Sequence, residues 1–219
     1  MATEENEYHL VAFDPGGTTG WAHLTLDYRA FSRPNNKALR YLKDWECGEY
    51  TGPENEQVGQ ASRLIWRARF GDMPYNSTTD VVSAGLSRAD FLSEDFELTQ
   101  MVGGNNLLSP VRINAKLDWV CAGWGLKLNL QKRSARTNVT AERLKRFGFI
   151  SPMNRSGTWT TSGRGKDAFS AIQHAIVWIR RLKTESRSRP WKLGEGGRAN
   201  VRWDCACERG RRCDIRHPR

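Results

Sequence analysis

The sequence predicts an α/β domain built on a mixed five-stranded sheet. Three observations carry this. Three short apolar or alternating runs, separated by turn signals, fill the first fifty residues or so. At Glu54 the apolar period changes from that of a strand to that of a helix. Beyond it strands and helices alternate, ending in a long amphipathic helix that begins at Lys166.

The elements follow in order. "EYHLVAFD", residues 7–14, is short, apolar and ended by a glycine turn, which reads as a buried strand. "GWAHLTLDY" alternates and pairs back against it as a hairpin; "DWECGEYTG" is a third strand, closed by Gly52 and Pro53. "FSRPNNKALRYLK" between them is a loop or a short helical insertion. Over Glu54–Phe70, Val58, Ala61, Leu64, Ile65 and Ala68 recur at helical spacing. "GDMPYNSTTD" is a loop, and "RADFLSEDFEL" is a strand carrying acids near its end. "GGNN" breaks the chain before "LLSPVRINAKLDWVCAGWG", a helix closed by glycine. "LKLNLQ" is the fifth strand, and "NVTAERLKRFG" a short helix with Thr140 as N-cap and Gly148 as stop. "MNRSGTWTTSGRG" is a polar loop that leads into "KDAFSAIQHAIVWIRRLK", whose stripe is Ala168, Ile172, Ala175, Ile179 and Leu182. After residue 183 the composition shifts to Arg, Gly and Ser, so residues 1–183 form one domain and 184–219 a basic C-terminal arm.

The formal net charge is +10 over 219 residues, spread along the chain, which suits a polyanionic partner such as nucleic acid. "MATEENEYHL" is acidic and polar, unlike a secretory signal, and no apolar run reaches the roughly 18 residues that span a bilayer. A cytoplasmic protein with no membrane partner is expected, its five cysteines reduced or metal-bound. Cys47 and Cys121 fall in core elements as buried thiols. Cys205, Cys207, Cys213 and His217 form a C-x-C-x5-C-x3-H pattern. That is either a zinc site with one unusually tight spacing or a basic tail with incidental cysteines. Of the nine tryptophans, Trp119, Trp124 and Trp178 lie in or at the end of helices and read as core. Trp159 and Trp191 fall in polar segments, where Trp159 could stack on an unpaired base.

"VAFDPGGTTGWA" places Asp14 at a strand end, bent away by glycines. The turn could cradle a phosphate, as in sugar kinases and actin-like ATPases, but the chain has no second Asp-x-Gly turn. "SGRGKDAF" is not a Walker A loop, because Asp167 stands where Ser or Thr would bind magnesium. The other answer is a hard metal ion held by carboxylates from different elements, with Glu94 and Asp167 as partners. Each acid also has a plain reading: Asp14 as a turn former, Glu94 as a solvated strand-end acid, Asp167 as a helix N-terminal charge. Asp95 and Glu97 point to the opposite side of the strand from Glu94. His174 shares the face of Asp167 two turns on and reads as a packed or supporting histidine rather than a ligand.

These residues resemble the RuvC-type Holliday junction resolvases, and among them the phage-borne branch. The resemblance rests on "FDPGGTTGWA", on the apolar strand running into "SEDF", and on "KDAFSAIQHA" with His174 seven residues after Asp167. "LLSPVRINAKLDW" and "TAERLKRFGF" are similar to the segments between, and the likeness spans residues 8–183. It implies an RNase H-like fold and an endonuclease that cuts branched DNA as a homodimer with Mg²⁺ or Mn²⁺. Asp14, Glu94 and Asp167 match the carboxylates of the first strand, the fourth strand and the last helix. One position departs: many relatives carry Asp or His three residues before the last aspartate, where this chain has Arg164. A cation there can hold a phosphate but not a metal, and Lys166 beside it has the same capacity. Two other readings stay open: a junction-binding domain without activity, and a different RNase H-like nuclease acting on RNA–DNA hybrids or in DNA packaging.

Overall fold

Five strands pair in the order β3-β2-β1-β4-β5. They are β1 (Glu7–Asp14), β2 (Thr19–Asp27), β3 (Leu42–Tyr50), β4 (Arg88–Asp95) and β5 (Leu128–Lys132). The first three form an antiparallel meander, while β4 and β5 run parallel to β1. The helices are α1 (Glu54–Phe70), α2 (Ser109–Gly123), α3 (Ala141–Arg146) and α4 (Lys166–Ser188), with a 3-10 helix over Arg133–Asn138. The structure, a computed structural model, describes residues 7–28, 42–71, 88–96, 108–147, 149 and 165–188. This strand order, a meander continued by parallel strands and flanked by helices, is an RNase H-like fold.

The period of two along each strand divides the core into two layers. On one face Tyr8, Leu10, Ala12, Ala22, Leu24, Leu26, Cys47 and Leu92 pack against the α4 stripe. On the other, Val11, Phe13, Phe91 and Leu128 meet Val58, Ala61, Leu64, Ile65 and Ala68 of α1 and Ile113, Leu117 and Cys121 of α2. The apolar stripes expected of α1 and α4 are therefore both buried. Cys47 and Cys121 are buried free thiols, which burial pushes up to about 12.

Thr140 caps α3 by accepting the backbone N–H of Arg143. α4 runs on to Ser188, into residues whose composition assigns them to the C-terminal arm. Trp178 is partly buried, and its Nε1 donates to Asp90 Oδ2 at 3.0 Å. Trp124 packs edge-on to Trp66. Trp119 corrects the expectation of a core residue: it is 79% exposed. It stands two residues past buried Leu117, and at about 100° per residue that turns it away from the sheet.

The 31–41 insertion, the loop beyond Gly71, "GGNN", most of the glycine-rich loop before α4 and the arm beyond Ser188 lie outside the described residues. No described helix is long and apolar enough to cross a membrane.

Gly20 sets how closely α4 approaches the sheet. A Cβ at Gly20 would lie 1.9 Å from the carbonyl carbon of Asp167 and 2.5 Å from the nitrogen of Ala168. Gly17, in the turn just before β2, would meet nothing within 4 Å. Gly20→Ala should therefore cost at least about 1–3 kcal/mol, the usual scale of overpacking. Gly17→Ala should leave stability near that of the parent. Urea unfolding of both variants checks this; equal midpoints would contradict the close approach.

Candidate functional site

β1 and β4 are parallel neighbours, so their C-terminal ends lie side by side. Asp14 ends β1 and Glu94 is the last residue but one of β4, both facing α4 and both buried. α4 starts over Gly20, which pairs with Asp14, and this brings Asp167 in its first turn to the same end of the sheet. The three carboxylates named from sequence thus gather at one place, close enough for their charges to act on one another.

The Asp-Pro-Gly-Gly turn is gripped from the opposite face of the sheet. Gln57 of α1 donates to the carbonyl of Gly17 at 3.0 Å and accepts from Thr19 Oγ1 at 2.6 Å. Ser109 at the start of α2 donates to the carbonyl of Gly16 at 3.2 Å. Two backbone carbonyls of the turn are therefore used to fix it in place.

Four side chains that sequence reasoning missed complete the site. Arg136, from the 3-10 helix, donates through Nη1 to Asp14 Oδ2 at 3.1 Å and lies 3.2 Å from Glu94 Oε2. Glu49 of β3 accepts the backbone N–H groups of Gly165 (2.9 Å) and Asp167 (3.1 Å), capping α4 with a carboxylate. Gln131 of β5 holds His174 Nδ1 at 2.5 Å. Ser170, in the next turn of α4, donates to the carbonyl of Lys166 at 3.1 Å and lies close enough to Asp14 to act on its carboxyl. Strand parity was the available signal for Glu49, which shares the α4 side of β3 with Cys47.

His174 is fully buried, with Nε2 at 2.8 Å from Glu94 Oε2. An ionised carboxylate only accepts, so this nitrogen donates to it. His174 therefore supports Glu94 and has no lone pair left on that side for a metal. Asp95 is half-buried and lies on the other side of β4. Lys166 is exposed beside Asp167. Glu97, Trp159, Arg164, Trp191 and the Cys205, Cys207, Cys213 and His217 set lie outside the described residues.

Burial, and then the charge of Glu94, push the Asp14 carboxyl up to about 6, with Arg136 and Ser170 pulling back. Burial pushes Glu94 up as well, but the hydrogen bond from His174 and the charge of Arg136 outweigh it and hold it below the usual range. Glu94 thus keeps the negative charge of the pair. Asp167 is raised by burial and by Glu49.

Among the described residues no three metal-binding side chains surround one point. The chemistry of the set nonetheless fits a hard cation. Two carboxylate oxygens from different strands already converge on one cationic nitrogen, and Asp167 stands nearby.

Solved structures similar to the chain include the following two. One is RuvC of Thermus thermophilus, at 11% identity over 82% of this chain and 96% of that one, with a TM-score of 0.44. The other is T. thermophilus RuvC in complex with a Holliday junction substrate, at 12% identity over 81% of this chain and 96% of that one, with a TM-score of 0.45. No family model and no curated protein matches the sequence.

The raised Asp14 carboxyl makes a pH prediction for the metal-free protein. Between its ordinary value of 3.8 and about 6, folded Asp14 keeps a proton that the unfolded chain has released. The folded state then binds more protons, so the contribution of Asp14 to stability falls as pH rises through that window, by up to about 1.4 kcal/mol per pH unit. Urea unfolding in chelator from pH 4 to 7 should show the parent losing stability relative to Asp14→Asn. A pH-independent difference would refute the assignment.

Proposed function

We propose that the protein is a divalent-metal-dependent endonuclease that cuts branched DNA such as Holliday junctions. The observation that carries this reading is the gathering of Asp14, Glu94 and Asp167 from β1, β4 and α4 at one end of the sheet, two of them on a shared cation. A phosphate cradle is less well supported, since the turn directs the carbonyls of Gly16 and Gly17 at Ser109 and Gln57.

Asp14, Glu94 and Asp167 would hold one or two Mg²⁺ or Mn²⁺ ions. When bound, such ions supply an activated water for in-line attack on a phosphodiester and neutralise charge on the leaving oxygen. His174 and Gln131 fix the orientation of Glu94. Glu49 fixes the first turn of α4 and with it Asp167. Exposed Lys132, Arg133, Arg143 and Lys166 supply cations for the DNA backbone around the carboxylates, with Arg164 and Trp159, which precede α4 in the sequence, as further contacts. The reading includes a homodimer: exposed Trp119, with exposed Ala115 and Ala122 beside it on α2, offers an apolar surface for a second copy.

A second reading has one observation in its favour. Arg136 fills the space between Asp14 and Glu94, as it would in a domain that grips junctions without cutting them. A substrate panel separates the two: four-way junction, flap, duplex, single strand and RNA–DNA hybrid, each with Mg²⁺ and with chelator. Junction cleavage in Mg²⁺ is expected, and Asp167→Asn should lower it at least about a hundredfold while junction binding survives. Binding without cleavage in any metal would leave the gripping domain. Cleavage of the hybrid alone would move the protein to another branch of RNase H-like nucleases.

The tail reading is tested separately. If Cys205, Cys207, Cys213 and His217 form a zinc site, protein purified without chelator carries about one zinc per chain. Cys207→Ser should lose it by elemental analysis. Zinc-free parent protein would leave the segment as a basic arm.

A further inference from the structure

Arg136 is the one cation in contact with both strand carboxylates among the described residues. It comes from an unusual place. The 3-10 helix over Arg133–Asn138 buries none of its residues, yet the Arg136 side chain is only 14% exposed. The backbone is outside and the guanidinium is inside. Its neighbours Lys132 and Arg133 are exposed, and Arg133 Nε lies 3.9 Å from Glu94 Oε1.

The guanidinium and a metal ion cannot share this position. Nη1 sits 3.1 and 3.2 Å from the two carboxylate oxygens, whereas Mg²⁺ takes oxygens at about 2.0–2.1 Å. Entry of the metal requires the arginine to leave and the carboxylates to close by about 1 Å. Conversely, with Arg136 gone and no metal in its place, Asp14 and Glu94 would face each other with only the His174 hydrogen bond and the more distant Arg133 on the Glu94 side, at a substantial cost. A guanidinium turned outward from this surface helix meets whatever anion lies over the site, and it pairs with a phosphate as readily as with a carboxylate.

We propose that Arg136 is a displaceable counter-ion: it holds Asp14 and Glu94 in the DNA-free protein and transfers to a DNA phosphate when a divalent metal takes its place. This rests on the metal-dependent reading of the site. Metal and DNA binding are then coupled, and the coupling is reciprocal. DNA draws Arg136 off the carboxylates and so favours metal; metal releases Arg136 and so favours DNA.

The test uses the full chain and two readouts apart from cleavage. The first is Mn²⁺ binding without DNA, by calorimetry, for the parent, Arg136→Gln, Arg136→Lys and Asp14→Asn. Arg136→Gln should bind Mn²⁺ about tenfold or more tighter than the parent, Arg136→Lys should fall between them, and Asp14→Asn should bind far more weakly. Equal or weaker binding by Arg136→Gln than by the parent overturns the proposal. If none of the four binds Mn²⁺, the metal reading itself fails along with it. The second readout is the salt dependence of four-way-junction binding. In chelator the parent and Arg136→Gln should have the same slope. In Ca²⁺ the slope of Arg136→Gln should be shallower by roughly one phosphate contact. Identical slopes in both conditions would overturn the transfer to DNA. Should Arg136→Gln fold poorly in chelator, Arg136→Lys carries the Mn²⁺ comparison with a smaller shift in the same direction, and the salt slopes of the parent and Arg136→Gln are compared in Ca²⁺ alone, where equal slopes overturn the transfer to DNA.

Discussion

The architecture of the site depends on one steric fact: β2 has no side chain at Gly20, so α4 begins directly against the sheet there. A helix spaced by ordinary side chains would hold Asp167 farther from Asp14 and Glu94. Glu49 reinforces this contact from the neighbouring strand, since its carboxylate takes the free N–H groups at the helix start. Deeper along the same helix, Asp90 Oδ2 accepts both Trp178 Nε1 and the Tyr8 hydroxyl. The helix is thus fixed at two points, by a missing side chain near its start and by a shared acceptor farther on.

Around that frame the protein holds more buried negative charge than its core would tolerate unaided. The excess is handled differently at each carboxylate. Glu94 stays ionised because His174 and Arg136 surround it. Asp14 meets the same burial with weaker compensation and takes up a proton at higher pH. Asp167 is partly open to solvent and has Lys166 beside it. Two adjacent acids thus have opposed tendencies, Glu94 held ionised and Asp14 pushed towards its neutral form, with one guanidinium in contact with both.

Much of this was legible in the sequence, where one element has one dominant pattern. β1 and α1 have the bounds their periodicity predicts, and "DPGGTTG" marks both the carboxylate and the glycine that α4 needs. What escaped has identifiable causes. The 3-10 helix has no apolar period, so nothing in "RSARTN" singles out Arg136 from the charges around it. Glu49 lies among exposed and buried neighbours in a strand of mixed pattern, and its partners are backbone groups more than a hundred positions away. Trp119 was misread because bulk suggests burial, although Ile113, Leu117 and Cys121 already define the inward stripe of α2 and leave Trp119 on the far side.

The order of pairing in the sheet also bears on when the protein acquires its chemistry. β1, β2 and β3 are consecutive and can close as a local meander soon after they are made. β4 must find β1 across the whole of α1 and the segment after it, and α4 is the last described element of the chain. A growing chain therefore carries Asp14, and later Glu94, for a long interval before Asp167 exists. Until α4 is made, the sheet face it covers has no partner and the carboxylate set lacks one member. That set closes only when the helix that rests on Gly20 has left the ribosome.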